Sequence, residues 1–116
     1  MTLIEALKKL AEKYPEKWGY PETYQPPCLI RADDKQDALD PDDYSTEDAD
    51  AVLAEHGLVM WVWVDHTDAE WWGYVQEKET GVFLANDDTM GHAIKREATE
   101  ATFLAALEYI LKEAQQ

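Results

Sequence analysis

The chain has one cysteine, Cys28, which excludes an intrachain disulfide framework and any zinc site built on several thiolates. No apolar run approaches the roughly 20 residues that cross a bilayer, and the longest, Gly57 to Val64, has strand length. The opening MTLIEALKKLAEKY lacks the basic and apolar regions of a signal peptide, so the expectation is a cytoplasmic protein with no membrane partner. Basic residues are also few: 10 Lys+Arg stand against 25 Asp+Glu in 116 residues, a formal charge of −15. Such a surface repels phosphate, which argues against direct nucleic-acid binding and against adhesion to anionic membranes. Catalytic signatures are missing as well. There is no H-E-x-x-H spacing, no G-x-S-x-G elbow and no phosphate-cradling glycine loop, and nothing in the spacing supports a Cys28–His dyad. The expectation is a protein that is not an enzyme and carries no cofactor and no metal.

What the chain does have is an aromatic-rich hydrophobic content, with Trp 5, Tyr 6 and Phe 2. A disordered acidic chain would be poor in these residues, so one globular domain over 1–116 is expected. Thr2 to Glu5 fits a capping box, and Leu3, Leu7, Leu10 and Tyr14 follow at helical spacing up to Pro15. The proline-rich stretch 15–27 reads as an extended loop anchored by Trp18, Tyr20 and Tyr24, followed by a short strand at 28–31. Ser45 to Asp48 predicts a second capped helix through Ala51, Val52 and Ala54, stopped by Gly57.

Leu58–Val64 is β-branched, aromatic and apolar on both faces, which predicts a central strand. Asp65 to Asp68 supplies turn chemistry, Trp71–Val75 reads as a second strand, and a hairpin at Glu79-Thr80-Gly81 leads to a third at Val82–Ala85. Asn86 to Asp88 then breaks the sheet, and His92–Lys95 adds a short edge segment. Thr99 caps a last helix displaying Phe103, Leu107, Ile110, Leu111 and Ala114, with Leu104 beside them. The expected fold is α+β: a three-stranded antiparallel meander packed with N- and C-terminal amphipathic helices, plus an acidic insert with a short helix. Both helices on one sheet face is the simplest arrangement, and the two-sided hydrophobicity of 58–64 also admits a helix on each face.

Residues 32–56 hold ten acids and a single Lys35, which is −9 of the −15. Asp33, Asp37, Asp40, Asp43, Glu47 and Asp50 recur at steps of 4, 3, 3, 4 and 3, so a helical backbone would line them up on one face, although Pro41 interrupts it. Such a row presents negative charge where a basic protein expects phosphate; the alternative is a solvated acidic loop that keeps the chain soluble. The candidate partner-binding residues are Asp33, Asp34, Asp37, Asp40, Asp42, Asp43, Glu47, Asp48 and Asp50. No register in this insert puts a glycine at the sixth position of an EF-hand loop, which leaves only a loose divalent-ion site as a metal reading. Trp61, Trp63, Trp72 and Tyr74 form a possible aromatic contact surface, since in paired strands Trp61 and Trp63 share a face, as do Trp72 and Tyr74. Core packing under the helices is the first reading of these rings and a protein-contact surface the second.

Glu70-Trp71-Trp72-Gly73-Tyr74-Val75 followed by Ala98-Thr99-Glu100-Ala101-Thr102-Phe103-Leu104-Ala105-Ala106-Leu107 resembles the final strand and helix of small phage- and prophage-encoded α+β sandwich proteins. The α-β-β-β-α order also resembles a double-stranded-RNA-binding domain. That fold needs a Lys-rich start to its last helix, and here Lys95 and Arg96 are followed by Glu97 and Glu100. The resemblance and the charge together imply a small acidic inhibitor of the anti-CRISPR or anti-restriction type, whose partner is a basic nucleic-acid-handling host protein. An immunity protein or antitoxin against a nuclease toxin uses the same charge logic. A third reading is a small-ligand-sequestering protein with a Trp-lined pocket that includes Asp65 and His66. An exposed Trp stripe would also favour a homodimer through the sheet.

Overall fold

The computed structural model describes residues 1–84 and 91–114, the side chains through Lys112. Its elements run α1 (Leu3–Lys13), β1 (Trp18–Gly19), β2 (Leu29–Arg31), β3 (Asp37–Leu39), α2 (Thr46–Ala54), β4 (Leu58–Asp65), β5 (Glu70–Glu77), β6 (Phe83–Leu84) and α3 (Lys95–Ala114). The fold is α+β, as expected, with two antiparallel three-stranded sheets ordered β1-β2-β3 and β4-β5-β6.

Local signals set most boundaries. The Thr2 hydroxyl accepts the Glu5 N–H at 3.2 Å, and α1 then buries Leu3, Ala6, Leu7 and Leu10 along one stripe. At α2 the capping box is complete: Ser45 Oγ accepts the Asp48 N–H, and the Asp48 carboxylate accepts the Ser45 N–H, both at 3.0 Å. Gly57 ends the following turn with φ of 75°, a conformation other residues adopt only at a cost. The β5–β6 hairpin closes with the Glu77 N–H donated to the Val82 carbonyl at 2.9 Å.

Helix α3 is the centre of the molecule. It packs on β4 and β5, and on its other sides it meets α1 and α2. Phe103, Ala106, Leu107, Ile110 and Leu111 join the α1 leucines, Val52, Leu53, Leu58, Met60 and Val75 in one core cluster. The N-terminal helix reaches the meander only through α3, and the small sheet packs against α1 and α2. No described helix is long and apolar enough to cross a membrane.

Several expectations are corrected. Leu58–Val64 is an edge strand and not a central one, because β5 lies between β4 and β6. The proline-rich stretch is not all loop: Trp18 and Gly19 pair with Arg31 and Ile30. Thr99 does not cap the last helix, which starts a turn earlier at Lys95 and buries Thr99. Of the expected edge segment 92–95, only His92 pairs, through a bridge to Trp71. The described helices cover one face of the meander only. Ala85, the Asn86–Asp88 break and the Ala114 side chain lie outside the described residues.

Candidate functional site

The acidic insert does not form a helical row of carboxylates. Residues 32–36 make the turn between β2 and β3, Asp37 lies in β3, and 40–45 lead into α2, so Asp33 and Asp34 stand at one end of β3 and Asp40, Asp42 and Asp43 at the other. Three residues of strand already separate the two groups by about 10 Å.

Most of the predicted contact acids hold the backbone. The Asp33 carboxylate accepts the Asp34 N–H at 2.7 Å, and that bond, with Arg31 at 3.7 Å, holds its pKa below the ordinary carboxylate value. Asp34 accepts the Gln36 N–H and Asp40 the Asp42 N–H, the Asx geometry that makes acids good turn residues. Asp48 is the capping-box partner. Asp50 accepts the Met60 N–H at 3.0 Å; β4 pairs with β5 on one side only, so this carboxylate covers its open edge. The side chains of Asp42, Asp43 and Glu47 are exposed and serve none of these roles.

Asp50→Ala is therefore expected to destabilise the fold by about 1–3 kcal/mol by stranding a half-buried N–H, whereas Asp50→Asn keeps an acceptor and most of the stability. Urea unfolding of both variants checks this, and equal losses would show that the charge and not the acceptor matters.

The loop carrying Asp42 and Asp43 is fastened to α3. Arg96 donates Nη1 to the Tyr44 carbonyl at 3.0 Å and Nη2 to the Pro41 carbonyl at 3.2 Å, while its guanidinium lies 4.1 Å from the centre of the Tyr44 ring. The buried Tyr44 ring in turn rests on Phe103. No sequence motif announces this contact, since Arg96 and Pro41 are far apart in the chain.

The second surface is the outer face of the meander. Trp61 pairs with Tyr74 and Trp63 with Trp72, so all four rings stand on one face, and Phe83 joins them beside Gln76. Core packing is not their role. Trp61, Trp63 and Phe83 are 55%, 40% and 60% exposed, while the opposite face buries Leu58, Met60 and Val75. Trp63 stacks on Trp72 and Tyr74 with centroids 6.0 and 6.1 Å apart, Tyr74 meets Phe83 edge-on at 5.6 Å, and the Trp61 N–H is held by Gln76 Oε1 at 3.3 Å. Trp72 Nε1 is buried with no hydrogen-bond partner.

Asp65 and His66, expected in a Trp-lined pocket, lie at the β4–β5 turn, where Asp65 accepts the Thr67 N–H and His66 is exposed. A groove of about 820 Å³ opens at the other end of the sheet between Tyr14, His56, Glu77, Thr80 and Tyr109. There the Tyr109 hydroxyl and the Thr80 hydroxyl both donate to the Glu77 carboxylate. His56 Nε2 accepts the Trp18 indole N–H at 2.9 Å, and burial, then Lys17, holds the imidazole below its usual pKa. These contacts fasten β1 and α3 to the sheet.

Among the described residues no group of three or more His, Cys, Asp or Glu is placed to hold a metal ion. Cys28 is buried, and burial together with its S–H bond to Asp37 pushes the thiol up to about 11. Folded protein is accordingly expected to resist alkylation at pH 8 and to react on unfolding, as intact mass would show; modification of the folded chain at the rate of a free thiol would contradict this.

Comparison of the chain with models of protein families, with curated proteins and with solved structures found no match.

Proposed function

We propose that this chain is a small acidic inhibitor, encoded by a phage or other mobile element, that occupies the nucleic-acid-binding surface of a basic host protein in the manner of an anti-CRISPR or anti-restriction protein. The observation that carries this reading is the dense charge of residues 32–56 on an ordered scaffold. Asp33, Asp34, Asp40, Asp48 and Asp50 are spent on turns, a cap and a strand edge, so the backbone that presents Asp42, Asp43 and Glu47 is built rather than loose. Ordered carboxylates cost less to immobilise on binding than a flexible acidic tail, and a field of one sign gives fast, salt-sensitive association.

The test is an affinity capture from host lysate at low and high salt, with wild type and with Asp42→Asn/Asp43→Asn/Glu47→Gln. Wild type is expected to retain a basic nucleic-acid-binding protein that high salt releases. The triple variant is expected to bind it about tenfold more weakly with a shallower salt dependence. Unchanged affinity and unchanged salt dependence in that variant would sink the reading.

A further inference from the structure

We propose that the outer face of the β4-β5-β6 sheet is where arginine side chains of the basic partner land, each guanidinium lying flat against an exposed ring; this rests on the reading of a basic partner given above. Five rings, Trp61, Trp63, Trp72, Tyr74 and Phe83, share that face, and no described helix covers it.

The charge around the rings selects the occupant. The outward positions of β4 and β5 contain no lysine or arginine; they carry Asp65 and Glu70, with Asp68 in the turn between the two strands. Asp65 and Glu70 are directly paired across the strands on the same face as the rings, next to the Trp63–Trp72 pair. Like charges directly opposite one another destabilise a sheet, and a cation placed beside them relieves the repulsion. On its other surfaces the protein supplies its own cations to its rings: Lys8 to Tyr20, Arg31 to Trp18, Lys95 to Trp71 and Arg96 to Tyr44. None of these contacts falls on the outer face. Its rings are electron-rich, bordered by carboxylates and served by no described cation.

Magnitudes argue against a second copy of the chain as the occupant. An aromatic side chain buries about 150–250 Å² in full, so five partly exposed rings offer a few hundred Å², whereas a stable interface needs about 800 Å² from each partner. The remaining area would come from surface bearing −15 on both copies. Arginine fits better than lysine because its guanidinium is planar, weakly hydrated and stacks on ring faces, while the ammonium of lysine is compact and strongly hydrated.

Calorimetric titration with nona-arginine and with nona-lysine at the same ionic strength separates stacking from simple charge attraction. Wild type is expected to bind nona-arginine about tenfold more tightly than nona-lysine. Trp61→Thr/Trp63→Thr, which keeps β propensity, is expected to abolish that preference; it also removes the stacks on Trp72 and Tyr74, so its urea midpoint should fall modestly, and nona-lysine binding held at the wild-type value shows that the fold is intact. Asp42→Asn/Asp43→Asn/Glu47→Gln should weaken both peptides alike and leave their ratio intact. Equal binding of the two peptides, binding of neither, or a preference that survives the Trp double variant would overturn the proposal. So would a dimer in sedimentation that the Trp double variant dissolves. The two readings fail separately. An arginine preference with no basic protein captured from lysate removes the functional reading and keeps the surface. A captured partner held equally by the Trp double variant keeps the function and removes the surface.

Discussion

Gly73→Ala is expected to cost about 3 kcal/mol and lower the unfolding midpoint by roughly 10 °C. Gly73 lies in the middle of β5 on the face that meets α3, and a Cβ built there overlaps the Thr102 hydroxyl and comes within 2.8 Å of the Thr102 Cβ. Thr102 cannot swing aside. It is fully buried in the helix, its hydroxyl donates to the Ala98 carbonyl, and a β-branched side chain in a helix has few rotamers to exchange. Sheet and helix would have to separate, and this seam runs through the one core cluster. Thr102→Gly alone costs roughly a few tenths of a kcal/mol in helix propensity, together with the cavity left by a fully buried side chain. In combination it removes the obstacle, so the double variant is expected to be at least as stable as Gly73→Ala by itself. Thermal and urea unfolding of the cycle measure this coupling; simply additive losses would mean that the close approach of β5 and α3 is not what the glycine permits.

The same glycine marks what the sequence can and cannot disclose. Thr2, Ser45, Gly57 and Gly81 announce helix starts, a stop and a hairpin because their effects act within a few residues of backbone. The two-residue period of a strand likewise groups Trp61 with Trp63 and Trp72 with Tyr74. Which face of the sheet is buried is a different matter, because it depends on where α3 lands. Tryptophan content points to the core, yet the rings face outward and the smaller residues Val75 and Gly73 face the helix. A glycine inside a strand often signals a close backbone approach, so Gly73 between Trp72 and Tyr74 was the available clue to the covered face. The β1 pairing of Trp18 with Arg31 and the Asp50 contact to Met60 are nonlocal and left no pattern in the chain. Helical spacing of the acids was misleading for a physical reason: Asp33, Asp34 and Asp40 satisfy nearby N–H groups in turns, which competes with helix formation.

Arg96→Lys is expected to destabilise the protein by about 1–3 kcal/mol although net charge is unchanged. A lysine offers a point charge where the guanidinium bridges the Pro41 and Tyr44 carbonyls and covers the Tyr44 ring. The consequence extends to the proposed interface, because Asp42 and Asp43 lie between the two carbonyls that Arg96 grips. Freed from that grip, the 40–45 loop should show faster amide exchange at Asp43, whose N–H is donated to the Asp40 carbonyl at 3.1 Å. Partner affinity should fall as well, with its salt dependence intact, since the charges are all still present. Neutralising Asp42, Asp43 and Glu47 should do the reverse: flatten the salt dependence while leaving the loop ordered. Tyr44→Phe is the control. It keeps the ring beneath Arg96 and deletes a buried hydroxyl that has no partner and whose pKa burial pushes up to about 12, so stability should hold or rise. If Arg96→Lys left both loop exchange and partner affinity at wild-type values, the carboxylates would be acting as diffuse charge, and the built presentation of the insert would have no part in recognition.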